Sequence, residues 1–237
     1  MAGTAEKMGP MKIVILHGWT YEPENTWGVL LSILKRRGMD FEALRVPGLS
    51  DGTDPVWTLD DYVEWLRGKV GAERVILWGH SNGGRISLAF AARYPGKVAR
   101  LILEDSAGIP PSGFRKLKRD VFRVVAKLGS TITGSQRVRE LLYKIIREND
   151  YRRATPNMKK TMANLVAFDA RAILAKIVAP TLIIWGEYDR TTPRSAAHVI
   201  HSGIRGSSVV IIRGARHSPH ITHPQEVAQM ISDFISL

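Results

Sequence analysis

The sequence predicts an α/β protein, a doubly wound and mostly parallel sheet of about six strands with an inserted helical segment. Three observations carry that expectation. Short apolar runs too brief for helices alternate with stretches of helical periodicity. One of those runs, Val75 to Trp78, leads directly into Gly79-His80-Ser81-Asn82-Gly83 and then into a helical pattern. Between Pro110-Pro111 and Ala179-Pro180 the alternation stops and only helical patterns remain.

Taken in order, Met11 to Leu16 reads as a buried strand ending at His17-Gly18-Trp19. Thr26 to Arg37 is a helix with Trp27, Leu30, Leu31 and Leu34 at core spacing, closed by Gly38. Phe41 to Val46 is a second strand, broken by Pro47-Gly48. Thr58-Leu59-Asp60-Asp61 carries the hydroxyl and carboxylate of a capping box and opens a helix turning Leu59, Val63, Leu66 and Val70 inward. The serine unit follows, with Ile86, Ala89, Phe90 and Arg93 on one helical face, and then a strand from Val98 to Glu104. Beyond the helical segment, strands are expected at Thr181 to Trp185 and Ser208 to Ile212, and helices from Pro193 and from Pro224.

The segment boundaries expected are a first core part at 1–110, an insertion at 111–178 and a second core part at 179–237. Three amphipathic helices fill the insertion, marked by Phe114 to Leu128, by Val138 to Ile146, and by Met158, Met162, Leu165 and Val166. The insertion also holds the charge imbalance. The chain has a formal net charge of +12, of which 16 Lys+Arg and 5 Asp+Glu place +11 between Pro111 and Val178. Solvated helix faces, attraction of an anionic substrate, and transient contact with an anionic lipid surface all fit such a patch. Nucleic acid is not expected, because no recognition motif and no aromatic interleaving accompany the charges.

Composition sets further bounds. No run of about 18 apolar residues exists, so no membrane-spanning helix is expected. Met1 to Pro10 lacks the apolar stretch of a signal peptide. Cysteine is absent, which excludes thiolate chemistry and fits a cytoplasmic protein.

The Gly-x-Ser-x-Gly turn is the centre of the chemistry. With 21 glycines and 15 serines in 237 residues, chance supplies about 0.1 such matches. A strand-to-helix turn this tight strains the serine backbone and needs neighbours without bulk, which Gly79 and Gly83 supply. A serine hydroxyl needs a base, and a histidine held by a carboxylate suits that task near neutral pH. In a parallel sheet such groups collect at the carboxyl ends of strands. Four strand ends offer them here: His17-Gly18-Trp19, Ser81, Glu187-Tyr188-Asp189 and Arg216-His217. Asp105, ending another strand, is an alternative acid.

With His17-Gly18, the Gly79-to-Gly83 turn, Trp185-Gly186-Glu187-Tyr188-Asp189 and Gly214-Ala215-Arg216-His217 in the order Ser, Asp, His, the chain resembles the α/β-hydrolase fold serine hydrolases from Met11 to Leu237. The resemblance implies Ser81 as nucleophile, Asp189 as acid and His217 as base, with backbone N–H groups of Trp19 and Asn82 forming an oxyanion hole. It makes the insertion a cap over the serine. Family members begin with two further strands, which ten residues before Met11 leave no room for, so a six-stranded core is expected.

Other polar residues receive blander readings. His80 is a packed residue or pocket wall. Arg85, four residues past Ser81, is positioned to approach the pocket as a substrate-binding group. His17 anchors the oxyanion loop, while His198 and His201 lie on a helix surface. His220 and His223 follow His217 at spacings of three, but no paired carboxylate or thiolate completes a metal set. They are expected to be polar loop residues, with no metal and no cofactor.

The expected activity is cleavage of a small-molecule carboxylic ester through an acyl-serine. Rival readings are a carbon–carbon bond hydrolase or lyase for an anionic dicarbonyl-type substrate, and a ligand-binding receptor with an idle triad.

Overall fold

The computed structural model describes residues 11–20, 23–50, 55–110 and 154–236. The first two expected insertion helices lie outside the described residues.

Six strands form one parallel sheet: β1 (Ile13–Leu16), β2 (Phe41–Leu44), β3 (Val75–His80), β4 (Val98–Glu104), β5 (Thr181–Gly186) and β6 (Ser207–Ile212). Their spatial order is β2-β1-β3-β4-β5-β6, so the chain reverses direction across the sheet between β1 and β3. The connecting helices are α1 (Pro23–Arg36), α2 (Leu59–Val70), α3 (Asn82–Arg93), α4 (Pro156–Val166) and α5 (Ser195–Gly203), and after β6 come the short α6 (Pro219–Thr222) and α7 (Pro224–Ser236).

The period-two alternation of the strands explains the layers. Val14, Leu16, Val75 and Leu77 face one buried cluster, shared with Tyr62, Val63 and Leu66 of α2, Ile86 and Phe90 of α3, and Ile200 of α5. Ile13, Ile15, Ile76 and Trp78 face the other, with Trp27, Leu30 and Leu34 of α1 and Val227, Ile231 and Phe234 of α7. A strand apolar on both faces is what a sheet covered on both sides requires.

Local signals locate most boundaries. Thr58 caps α2 through the expected capping box, its hydroxyl accepting from Asp61 N and Asp61 accepting from Thr58 N. Helix α1 starts at Pro23, three residues before the expected start, and β2 ends at Leu44. The expected strand fails beyond Leu44 because Val46 N–H donates to His17 Nε2 (2.8 Å) instead of extending the ladder.

Helix α4 is the third expected insertion helix. Trp57 ties it down: its N–H donates to Thr161 Oγ1 at 2.9 Å, and its carbonyl accepts from Asn164 Nδ2 at 3.0 Å. After α4 the chain enters the main core, where Ala170, Leu174 and Ile177 are buried with the strands. Among the described residues no helix is long and apolar enough to cross a membrane.

Candidate active site

Strand β3 enters the serine turn fully buried. Ser81 takes φ 53° and ψ −117°, a backbone conformation that side chains rarely adopt. Its N–H donates to the Glu104 carbonyl (3.1 Å), and its own carbonyl accepts from Ala107 N (2.9 Å) and Arg85 N (3.2 Å). Glycine is required on both sides of the turn. A β-carbon on Gly79 would come within 2.5 Å of the Gly83 carbonyl oxygen, and one on Gly83 within 2.2 Å of that of Leu16. The turn therefore packs backbone close against backbone at both glycines.

His217 lies on the loop after β6, and its Nε2 is 3.0 Å from Ser81 Oγ. Its Nδ1 is 2.8 Å from Asp189 Oδ2. Asp189 follows β5 and accepts from four donors: His217, Thr192 Oγ1 at 2.6 Å, and the backbone N–H groups of Thr191 (2.7 Å) and Thr192 (3.0 Å). Burial works to raise its pKa, but these hydrogen bonds prevail and hold it below the usual carboxylate value. Two ties join the two loops, Gly214 N donating to Glu187 Oε2 and Tyr188 N to Ala215 O, while Trp185 Nε1 fastens the first loop to β5 by donating to Thr192 O. A side chain on Gly186 would strike the Arg216 carbonyl oxygen at 2.1 Å, so the glycine permits this approach.

Asp105 occupies the neighbouring strand end without touching His217 through any hydrogen bond. Its Oδ1 accepts from Gly186 N at 2.8 Å, while Oδ2 has no partner. Burial foremost, then the charges of Asp189 and Glu104, push its pKa well above the usual carboxylate value. The two neighbouring carboxyl groups are shifted in opposite directions. The geometry thus pairs the imidazole with Asp189 and leaves Asp105 as support for the β5 terminus.

His17 is buried and ties the loop after β1. Its Nδ1–H donates to Gly18 O (2.6 Å) and its Nε2 accepts from Val46 N. Burial lowers its pKa and keeps it neutral, as this pattern needs. Gly18 lies against the nucleophile turn, where an added β-carbon would sit 2.8 Å from Ser81 Cβ. Trp19 and Asn82 line the same cavity, Asn82 as the first residue of α3, whose N-terminal N–H groups have no intrahelical acceptors.

His80 is also in the cavity wall. Its Nε2–H donates to the His217 carbonyl at 2.7 Å, and burial above all, with His220 and His217 nearby, drives its pKa far down. His220 departs from the polar loop expected. It begins in the short helix α6, is 2% exposed, and stacks on Trp27 with ring centroids 4.0 Å apart. Both its backbone N–H (2.8 Å) and its Nδ1 (2.9 Å) meet Glu104 Oε1. His223 sits just before α7, with Nδ1 2.8 Å from Thr222 Oγ1, and His198 and His201 are exposed on α5. His80, Asp105 and His217 together bring potential ligand atoms within 4.8 Å of one another. Both ring nitrogens of His217 are already hydrogen-bonded, which competes with a metal there.

The cavity, of about 150 Å³, is lined by Trp19, His80, Ser81, Asn82, Arg85 and His217, with Met162 and Val166 of α4 across from them. Sequence reasoning missed Thr192, Glu104 and the lining role of Met162. Thr192 had a readable signal, since an aspartate commonly accepts backbone N–H groups two and three residues on. Glu104 had none, because His220 is 116 residues away.

A family description of the alpha/beta hydrolase fold matches residues 13–224. The chain belongs to the alpha/beta hydrolase fold family. Among alpha/beta hydrolase relatives, a pimeloyl-[acyl-carrier protein] methyl ester esterase of Yersinia pseudotuberculosis serotype O:1b (strain IP 31758) is 28% identical, the alignment covering 95% of this chain and 93% of that one. The biotin biosynthesis bifunctional protein BioHC of Teredinibacter turnerae (strain ATCC 39867 / T7901) is 26% identical over 94% of this chain, which spans only 44% of that longer protein. A solved membrane phospholipase A, a bacterial virulence factor, superposes with a TM-score of 0.71 at 25% identity, covering 95% of this chain and 78% of that one.

Proposed function

We propose that this alpha/beta hydrolase cleaves carboxylic esters through an acyl-serine intermediate, with Ser81 as nucleophile, His217 as base and Asp189 as its orienting acid. The observation that carries the proposal is the unbroken hydrogen-bonded line from Ser81 Oγ to His217 Nε2 (3.0 Å) and from His217 Nδ1 to Asp189 Oδ2 (2.8 Å). His217 Nε2 takes the hydroxyl proton as Ser81 Oγ bonds to the ester carbonyl carbon. Asp189 fixes the tautomer that leaves Nε2 free to accept and stabilises the imidazolium that results.

Negative charge then appears on the former carbonyl oxygen. The backbone N–H groups of Trp19 and Asn82 are assigned to meet it, and one such donor is worth about 3 kcal/mol. Collapse breaks the bond to the alcohol oxygen, which leaves with the proton from His217. A water repeats the sequence on the acyl-serine, releasing acid and restoring the hydroxyl. Every proton and electron pair is accounted for by these three side chains, so the scheme draws on no cofactor.

The ester class has support from the relatives' activity on methyl esters of an acyl-carrier-protein-bound acid. An acyl carrier protein would be the partner of the basic 111–178 segment in that reading, with a small-molecule ester as the simpler alternative. The test is turnover of p-nitrophenyl esters from acetate to laurate by wild type and Ser81→Ala. Loss of turnover in the variant supports the proposal, and unchanged turnover ends it. The carbon–carbon bond reading is favoured by one observation, the cationic Arg85 in the cavity wall. A vinylogous diketone acid offered beside the esters separates the two.

A further inference from the structure

Arg85 is a charged group in the cavity wall that the ester-cleavage scheme does not use. It lies on α3, four residues past Ser81, and is only 7% exposed. Neither Nε nor Nη1 has a hydrogen-bond partner among the described residues, although both are cut off from solvent. The Arg85 stem lies near Gly108, and the cavity it lines also includes Ala107, Met162 and Val166. Burial lowers its pKa only to about 10, so it stays charged at neutral pH.

A buried charge without a partner is strongly unfavourable unless something supplies one. The catalytic groups are tied, with Asp189 taking four donors and His17 two partners, while Trp19 Nε1 and Asp105 Oδ2 are also buried without a hydrogen-bond partner among the described residues. Of these unpaired groups in or beside the cavity, Arg85 alone is a cation, with two N–H donors uncommitted in the cavity wall. A carboxylate oxygen is the natural acceptor for a guanidinium N–H, through a charge-assisted hydrogen bond.

We infer that Arg85 receives a carboxylate of the substrate, so that the preferred esters carry an anionic group near the scissile bond, half-esters of dicarboxylic acids being the simplest class. This rests on the ester-hydrolase reading for the reaction but not for the binding. The carboxylate is held on the α3 side of the cavity while the reacting carbonyl meets Ser81 at the start of the same helix. A neutral acyl chain in that position leaves the guanidinium buried and unpaired, and binds correspondingly less well.

The experiment compares monomethyl glutarate with methyl valerate by acid release in a pH-stat, for wild type, Arg85→Met and Arg85→Lys. Wild type is expected to favour the half-ester in kcat/KM. In Arg85→Met the KM for the half-ester rises by roughly tenfold to a hundredfold, as loss of a charge-assisted pair implies, and the ratio of kcat/KM for half-ester over methyl valerate falls by a similar factor. Arg85→Lys restores part of the preference. Glutarate itself, with no ester to cleave, raises the melting temperature of wild type and not of Arg85→Met.

Removing an unpaired buried charge leaves the ligand-free Arg85→Met melting temperature equal to or above that of wild type. An equal preference for the two esters in wild type and variant, with no glutarate shift, overturns the inference. So does a large fall in the ligand-free melting temperature of Arg85→Met with ester selectivity retained, since that identifies a partner within the chain. Absence of all ester turnover together with an Arg85-dependent glutarate shift would reject the hydrolase reading and keep the carboxylate site.

Discussion

The two walls of the cavity hold polar groups out of water in opposite ways. On the β5–β6 side every working atom is tied. Asp189 accepts four hydrogen bonds, both nitrogens of His217 are engaged, the two loops are stitched by Glu187 and Tyr188, and Trp185 fastens the first of them. On the α3–α4 side Arg85 is as deeply buried, yet two of its nitrogens have no partner among the described residues. The difference separates positioning from recognition. Groups that must keep one geometry through a reaction are over-determined, whereas a group that awaits a ligand keeps its hydrogen-bonding capacity open.

The tied wall is where substitution costs most. Ser81→Ala or His217→Ala is expected to lower kcat for a p-nitrophenyl ester by roughly a million-fold, as removal of either member of such a unit does, with KM little changed. Asp189→Asn keeps the shape but offers the imidazole the wrong partner, and a loss of about 10⁴-fold in kcat is expected. Asp105→Asn is the sharpening control. It should stay within about tenfold of wild type, because Asp105 contacts Gly186 N and not His217. A reversal of these two results would move the acid to β4.

Gly18→Ala probes the loop between the walls. The added methyl meets Ser81 Cβ at 2.8 Å and the loop must shift, so roughly a hundredfold fall in kcat is expected, the scale of one lost oxyanion donor. Stability assays separate this from unfolding.

The smallest effects are in stability against pH, and the two aspartates should show opposite signs. Asp189 has its folded-state pKa depressed, so its contribution to stability is present above the ordinary carboxylate value and fades as pH falls below it. Asp105 has its folded-state pKa raised. Its contribution is complete below the ordinary value of 3.8 and is lost as pH climbs toward the folded value. Asp105→Asn, which cannot ionise, should therefore gain on wild type in denaturant melts as pH rises above the ordinary carboxylate value. A difference that stays constant as pH rises would show that Asp105 does not titrate against its burial.

Much of this was legible in the sequence for a local reason. The serine turn is written in five consecutive residues, and the glycines at 79 and 83 are dictated by backbone oxygens 2.5 Å and 2.2 Å from where a side chain would begin. The unbroken apolar runs Ile13–Leu16 and Val75–Trp78 likewise announce a sheet covered on both faces. Strand position alone did not separate Asp105 from Asp189, because both end strands, and it was the family resemblance that pointed to Asp189. The choice depends on how the 190–192 turn closes over one carboxylate. His220 was misread because its partner comes from β4, and spacing of three from His217 carries no information about a buried glutamate there. Arg85 was legible as near the serine, but its lack of a partner is a property of what packs around it.

The central claim is that one hydroxyl, made nucleophilic by His217, forms a covalent bond during the reaction. Intact-mass measurement after treatment with a fluorophosphonate, followed by peptide mapping, tests it most directly. A single adduct on Ser81 is predicted, absent in Ser81→Ala and formed far more slowly in His217→Ala. Labelling of Ser81 at the same rate with and without the His217 imidazole, or an adduct elsewhere with Ser81 untouched, would contradict it.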